Sequence, residues 1–254
     1  MRRVALCLAL LVSCAAAAQD LHLRPVGTRV SGEFKLGASV FYLPEGEWVL
    51  AARHQWNGTI NRVLEGPAWA GVYLFDVRGQ RMARALWVIA NTEPVLGTRG
   101  WLPTEDPCKQ RDDVYLHREL GLNFRNQFCI EVNHRVPFLV DRKGWAQDAH
   151  GWLAENKVPV PQTVVAVQFA RIDRAYQTQL HYYFNPELDG FAPGANRWRA
   201  SEWHRDRVGQ DPARAAYLES LAGWANAAAP VVRAGFFGEP PKAAFPEPPF
   251  LAKR

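Results

Sequence analysis

Between Phe184 and Pro212 the chain reads FNPELDGFAPGANRWRASEWHRDRVGQDP, the densest gathering of chemically capable side chains in its 254 residues. Glu187, Asp189, Glu202 and Asp206 supply carboxylates, His204 an imidazole, and Trp198 and Trp203 flat apolar faces, with four arginines among them. Carboxylates beside tryptophan are what a glycan-cleaving groove uses. One carboxyl is protonated as the acid, a second is ionised, and an indole lies under the sugar ring. Glu187, Asp189, Glu202, His204 and Asp206 are therefore the catalytic candidates, and Trp198 and Trp203 the binding candidates. The plainer alternative is a solvated loop pinned to the core by its tryptophans, its charges pairing with one another at little gain. The choice turns on carboxyl separation, and the plainer alternative is preferred.

Trp56 and Trp101 complete the tryptophans placed in expected loops, where a binding surface would expose them. Trp48, Trp87, Trp145, Trp152 and Trp224 fall on apolar strand or helix positions and read as core.

Other chemistries find less support. Ser31, Ser39, Ser201 and Ser220 are the serines beyond the leader, and none lies in G-x-S-x-G; Ser39 has Phe41 where the second glycine would stand. Seven histidines occur without an H-E-x-x-H, the nearest patterns being His117-x-Glu119 and His204-x-Asp206. Glu131 and His134 would point to opposite faces of a strand. No metal site is assigned. Neither a G-x-G-x-x-G nor a Walker loop is present, and no cofactor is assigned.

Arg2 and Arg3, an apolar run from Val4 to Val12 and the small residues Ser13 to Ala18 have the layout of a secretory leader. Cleavage after Ala18 would release a protein starting at Gln19. The run Leu11-Val12-Ser13-Cys14 also fits a lipobox, so a lipid anchor at Cys14 is the alternative. No later segment approaches eighteen uninterrupted apolar residues, so no transmembrane span is expected. Beyond the leader only Cys108 and Cys129 remain, and a lone pair in an oxidising compartment most simply forms one disulfide. The formal net charge of +5 falls by two with the leader, and lysines and arginines are scattered singly. Nothing points to nucleic acid.

These residues need elements to hold them. The stretch 37–90 reads as β, with short apolar runs at 38–43 and 48–52 parted by Pro44-Glu45-Gly46, and longer runs at 70–77 and 82–90 flanking Arg78-Gly79-Gln80. Residues 55–67 read as a polar excursion. A second charged excursion, 97–127, carries a short helix near 109–120 and is tied by the disulfide to a strand at 128–132. Trp145, Ala149, Trp152 and Leu153 put a helix at 145–157. Strands at 164–172 and 179–184 follow. Asp211 as N-cap and Pro212 in the first turn open a helix over 211–229, which Pro230 interrupts and Gly235 caps if it kinks and continues. Five prolines then favour an extended or disordered tail.

The expected fold is α+β: a mostly antiparallel sheet with helices packed on one face, one disulfide-tied excursion and a long C-terminal helix. A leader occupies 1–18, one domain 19–238 (as two lobes, 19–95 and 96–238, in an alternative division) and a Pro-rich tail 239–254. The expected function is an exported cell-envelope module, binding or accessory, acting without a cofactor on an envelope component or glycan. The alternative is an envelope hydrolase of glycan or peptidoglycan, its acid and base drawn from Glu187, Asp189, Glu202 and Asp206.

Overall fold

The computed structural model describes residues 20–60, 64–95, 108–109, 111, 113–121, 126–139 and 144–250. Runs rich in Val, Leu, Phe, Tyr and Trp form strands β1 (Arg29–Val30), β2 (Glu33–Leu36), β3 (Ser39–Tyr42), β4 (Trp48–Ile60), β5 (Leu64–Arg78) and β6 (Arg81–Asn91). After them come β7 (Leu116–Glu119), β8 (Asn126–Arg135), helix α1 (Trp145–Glu155), β9 (Val164–Asp173) and β10 (Gln177–Phe184). A single helical turn, α2 (Arg205–Val208), precedes the long α3 (Pro212–Phe236). Among the described residues eight strands make one sheet in the order β1-β4-β5-β6-β10-β9-β8-β7, while β2 and β3 form a separate hairpin. All pairings are antiparallel. Strands from both halves of the chain share the sheet, and the fold is mixed α+β.

Two stretches differ from the sequence expectation. Residues 55–60 and 64–67 belong to the paired strands β4 and β5 rather than to a loop. Trp56 is paired with Trp69 across the strands, their rings stacked 5.8 Å apart, and this aromatic pair offsets the polar composition. Register shifts at Leu50/Ala52 and Asn57/Thr59 absorb the twist of so long a ribbon. Within the expected helix at 109–120, residues 116–119 are strand β7. Pairing with the edge of β8 satisfies their backbone groups, which outweighs local helix preference.

The two faces of the sheet are covered by different helices. On one face Val72, Val88, Leu180, Val167 and Ile130 are fully buried with α3 residues Leu221, Ala225 and Val232. On the other, Phe75, Ala85 and Ala166 pack with Ala149 and Leu153 of α1. Helices on both faces correct the expectation of one. The reason lies in β4–β6, whose alternate positions are apolar on both sides and need two covers.

Pro230 stands inside α3, which runs unbroken to Phe236. The buried positions Val231, Val232, Gly235 and Phe236 continue the packed face beyond the proline, so burial outweighs one lost backbone bond. Gly235 is no terminal cap. A Cβ there would fall 2.3 Å from the Val40 carbonyl oxygen of β3, and the glycine permits that approach.

As far as residue 250 the Pro-rich tail is extended but docked. Phe245 stacks on Tyr42 and Tyr182 at 6.2 and 5.9 Å, and Phe250 on Tyr217 at 4.1 Å. Trp224 Nε1 donates to the Pro246 carbonyl at 2.9 Å. Among the described residues no helix is long and apolar enough to cross a membrane.

Candidate functional site

On the α1 face, the antiparallel registers align one residue from each of six strands into a straight row. Tyr73 of β5 opposes Trp87 of β6, which opposes His181 of β10; His181 opposes Gln168 of β9, Gln168 opposes Glu131 of β8, and Glu131 opposes His117 of β7. At the β5–β6 end of this row, Trp145 of helix α1 packs its ring 5.3 Å from both Tyr73 and Trp87. Gly71 makes room for it, since a Cβ there would meet the Trp145 ring at 2.3 Å. Beyond Trp145 the face opens into a groove of about 560 Å³, lined by every member of the row except His117.

The disulfide brings further groups to this groove. Cys108 and Cys129 are bonded with Cα atoms 5.5 Å apart, and both are buried against Ala170. Cys129 and Glu131 lie on the same face of β8, so the bond sets the adjoining residues Lys109 and Arg111 at the rim. Arg111 contacts Glu131 at 3.4 Å and grips Asp113 through two bonds of 3.1 Å. Arg135, at the end of β8, is the third cation lining the groove. Among the described residues neither Lys109 nor Arg135 pairs with a carboxylate.

Several polar atoms on the row are buried without a hydrogen-bond partner in the described structure: Trp87 Nε1, both ring nitrogens of His181 and both of His117. His181 is 4 % exposed and meets the Trp87 ring edge-on at 4.4 Å. Burial, reinforced by Arg135, pushes its pKa well below the usual imidazole value. The ring is neutral at pH 7 and offers one N–H donor and one nitrogen acceptor. Beside it on β10, Tyr183 is held protonated by burial, its phenol pushed up to about 12.

The residues singled out between Phe184 and Pro212 stand elsewhere. Glu187 accepts from the backbone N–H groups of Gln162 and Thr163 at 3.0 and 3.3 Å. Glu202 accepts from the N–H of Ala195 at 2.9 Å, and backbone N–H groups hold its carboxyl below the usual range. Asp189 accepts from the Tyr217 hydroxyl at 3.1 Å and borders a different cavity, lined by Leu188, Phe191 and Phe250 among others. Asp206 is 76 % exposed beside His204 and Arg205. His204 is buried, and its Nδ1 accepts from the Asp206 N–H to cap α2. Trp203 is 1 % exposed in the core. Trp198 is half-buried and latched to His134: the rings stack at 5.3 Å, His134 Nε2 meets the Trp198 carbonyl at 3.0 Å, and Trp198 Nε1 donates to the His134 carbonyl at 3.3 Å. Trp56 belongs to an aromatic cluster with Trp69 and Trp145 that backs the groove. Trp101 lies outside the described residues.

The groove residues were not singled out from sequence, and Trp87, read as core, is half-buried and lines the groove. The signal was a polar residue flanked by apolar ones inside strand text: Gln168 in VVAVQFA, His181 in LHYYF and Glu131 in FCIEV. Each looks incidental until register places them side by side. A comparison with protein-family models, curated proteins and solved structures finds no match to this chain.

Proposed function

We propose that the protein is an exported module of the cell envelope that holds a ligand in this groove. The observation that carries the reading is the set of buried polar atoms without a hydrogen-bond partner at neighbouring groove residues, Trp87 Nε1 and both ring nitrogens of His181. Each buried polar atom left unpaired costs about 1–3 kcal/mol, which a ligand's own donors and acceptors would offset. Export is supported by the leader-like residues 1–18 and by the disulfide, since such bonds persist in oxidising compartments. Binding suits the groove better than glycan hydrolysis. Among the described residues Glu131 is the one carboxylate lining it, whereas the acid–base pair of a glycosidase needs two.

The test compares the wild-type protein with Gln168→Trp, which fills the groove, and His181→Phe, which keeps an aromatic ring but loses both nitrogens. Soluble glycan fragments from an enzymatic digest of the envelope are passed over each immobilised protein, and unfolding midpoints confirm that the variants are folded. Retention by the wild type and release by both variants is the expected result. Equal retention by all three, or none by the wild type, overturns the reading. Export is checked by intact mass from the native host: a chain beginning at Gln19 supports soluble release, an acylated chain beginning at Cys14 supports the anchored alternative, and an uncleaved leader removes the export claim.

A further inference from the structure

The groups lining the groove specify a ligand class, an inference that rests on the groove being a binding site. Among the described residues three cations border it, Lys109, Arg111 and Arg135, against one carboxylate, Glu131. Arg111 is already engaged by Asp113 and Glu131. Lys109 and Arg135 line the groove and are not paired with any carboxylate among the described residues. Such a pair calls for an oxyanion, because charge-assisted hydrogen bonds are the strong ones.

The floor is of another character. Trp87 Nε1 is a pure donor, and the neutral His181 ring is a donor and an acceptor, all buried without partners. Gln168 and Gln179 add amides that donate and accept, and Tyr73 adds a phenol. Neutral groups of mixed polarity, set at strand spacing of about 4.8 Å, match a set of hydroxyls that also both donate and accept. The half-buried Trp87 supplies a ring edge and face for the apolar side of a sugar. The cavity is also of the size that ligand sites of about 300–1,000 Å³ have.

We infer that the groove takes an anionic carbohydrate, a polyhydroxylated ring carrying one oxyanion, with the hydroxyls on the Trp87–His181–Gln168 floor and the oxyanion between Lys109 and Arg135. A carboxylate on a uronic acid and a phosphate on a hexose share this chemistry.

Isothermal titration calorimetry of the disulfide-bonded protein tests it with digalacturonate, glucose 6-phosphate, their neutral counterparts digalactose and glucose, and inorganic sulfate. One of the two acidic sugars should bind about tenfold or more tightly than its neutral counterpart, the scale of one charge-assisted hydrogen bond. That preference should shrink in Lys109→Gln/Arg135→Gln and in high salt, and binding should be lost in His181→Phe. Which acid binds tells carboxylate from phosphate. Equal binding of neutral and acidic sugars, sulfate binding as tightly as either acid, or no binding of any of them overturns the inference. If digest fragments are still retained in a groove-dependent way, the ligand class fails while the binding site stands.

Discussion

Arg111 and Glu131 lie 20 positions apart in the chain, yet their side chains meet at 3.4 Å across the rim of the groove. The Cys108–Cys129 bond makes this possible, since it closes the loop from which Arg111 projects and fixes it beside the strand bearing Glu131. Replacing both cysteines with serine should lower stability by roughly 3 kcal/mol, the loop-entropy value for a closure of 21 residues. It should also weaken ligand binding more than a uniformly destabilised control such as Asp211→Ala. Denaturant melts and calorimetry on both variants check this; binding unchanged in the cysteine-free protein would mean that the loop has no part in the site.

His181 is placed at a cost to the fold. Both its nitrogens are buried without partners, so His181→Phe should leave the unfolding midpoint unchanged or raise it, because the desolvation of two polar atoms is relieved. A loss of stability on the scale of a core deletion, about 2 kcal/mol or more, would show that the imidazole serves the structure instead.

His134 gives the fold a defined pH response. Burial, with smaller contributions from His204 and Arg135, lowers its pKa to about 4, against the opposing hydrogen bond to the Trp198 carbonyl. An unfolded histidine titrates near 6.5, so between about 6.5 and 4 the unfolded chain binds the extra proton and stability falls as pH drops. The contribution is fully present above that window, and about 3 kcal/mol is lost across it. His134→Gln, which does not titrate but keeps an N–H for the Trp198 carbonyl, should flatten the stability profile between pH 6.5 and 4. Parallel profiles for wild type and variant would refute this.

The N-cap and the middle of α3 differ in what they contribute. The Asp211 carboxylate accepts from the N–H groups of Ala213 and Arg214 and pairs with the Arg214 guanidinium at 2.6 Å. Removing it as Asp211→Ala should cost about 1 kcal/mol. Trp224 is buried against Phe169, Tyr182 and Phe184, and Trp224→Ala should cost about 3–5 kcal/mol. Urea midpoints for the two variants should therefore fall in that order.

The tail contributes through Phe245 and Phe250. Truncation after Gly238 removes both rings and the acceptor for Trp224 Nε1, and should destabilise by about 2–4 kcal/mol. An unchanged midpoint would show that the docked tail adds nothing.

The elements were far more legible in the sequence than the groove. The Asp211-Pro212 pair marks the start of α3 because capping chemistry is local, and the alternation in 164–172 marks β9 because its period is local too. Residues 116–119 are a strand only because β8 lies beside them, and the β4–β5 hairpin extends through polar text because Trp56 finds Trp69. Those are tertiary facts. The carboxylates of 184–212 drew notice by density, but density along a chain says nothing of convergence: Glu187, Asp189 and Glu202 each satisfy a different donor. Convergence belongs to His181, Gln168 and Glu131, whose adjacency is a product of register between paired strands, β8 with β9 and β9 with β10.

The strand order has a consequence for how the molecule comes into being. β6 is hydrogen-bonded to β10, not to β7, so the seam through the middle of the sheet joins strands separated by the whole disulfide loop, α1 and β9. As the chain emerges from its N-terminus, β4, β5 and β6 can zip together at once, whereas β7 and β8 have no place on that sheet until β9 and β10 arrive. Closing such a long loop is entropically slow, which puts this protein among topologies of high contact order. Trp87 and His181 sit on either side of that seam. A chain halted before β10 therefore possesses half a floor and no groove, and binding activity should appear all at once, with the arrival of residues 177–184, rather than growing with chain length.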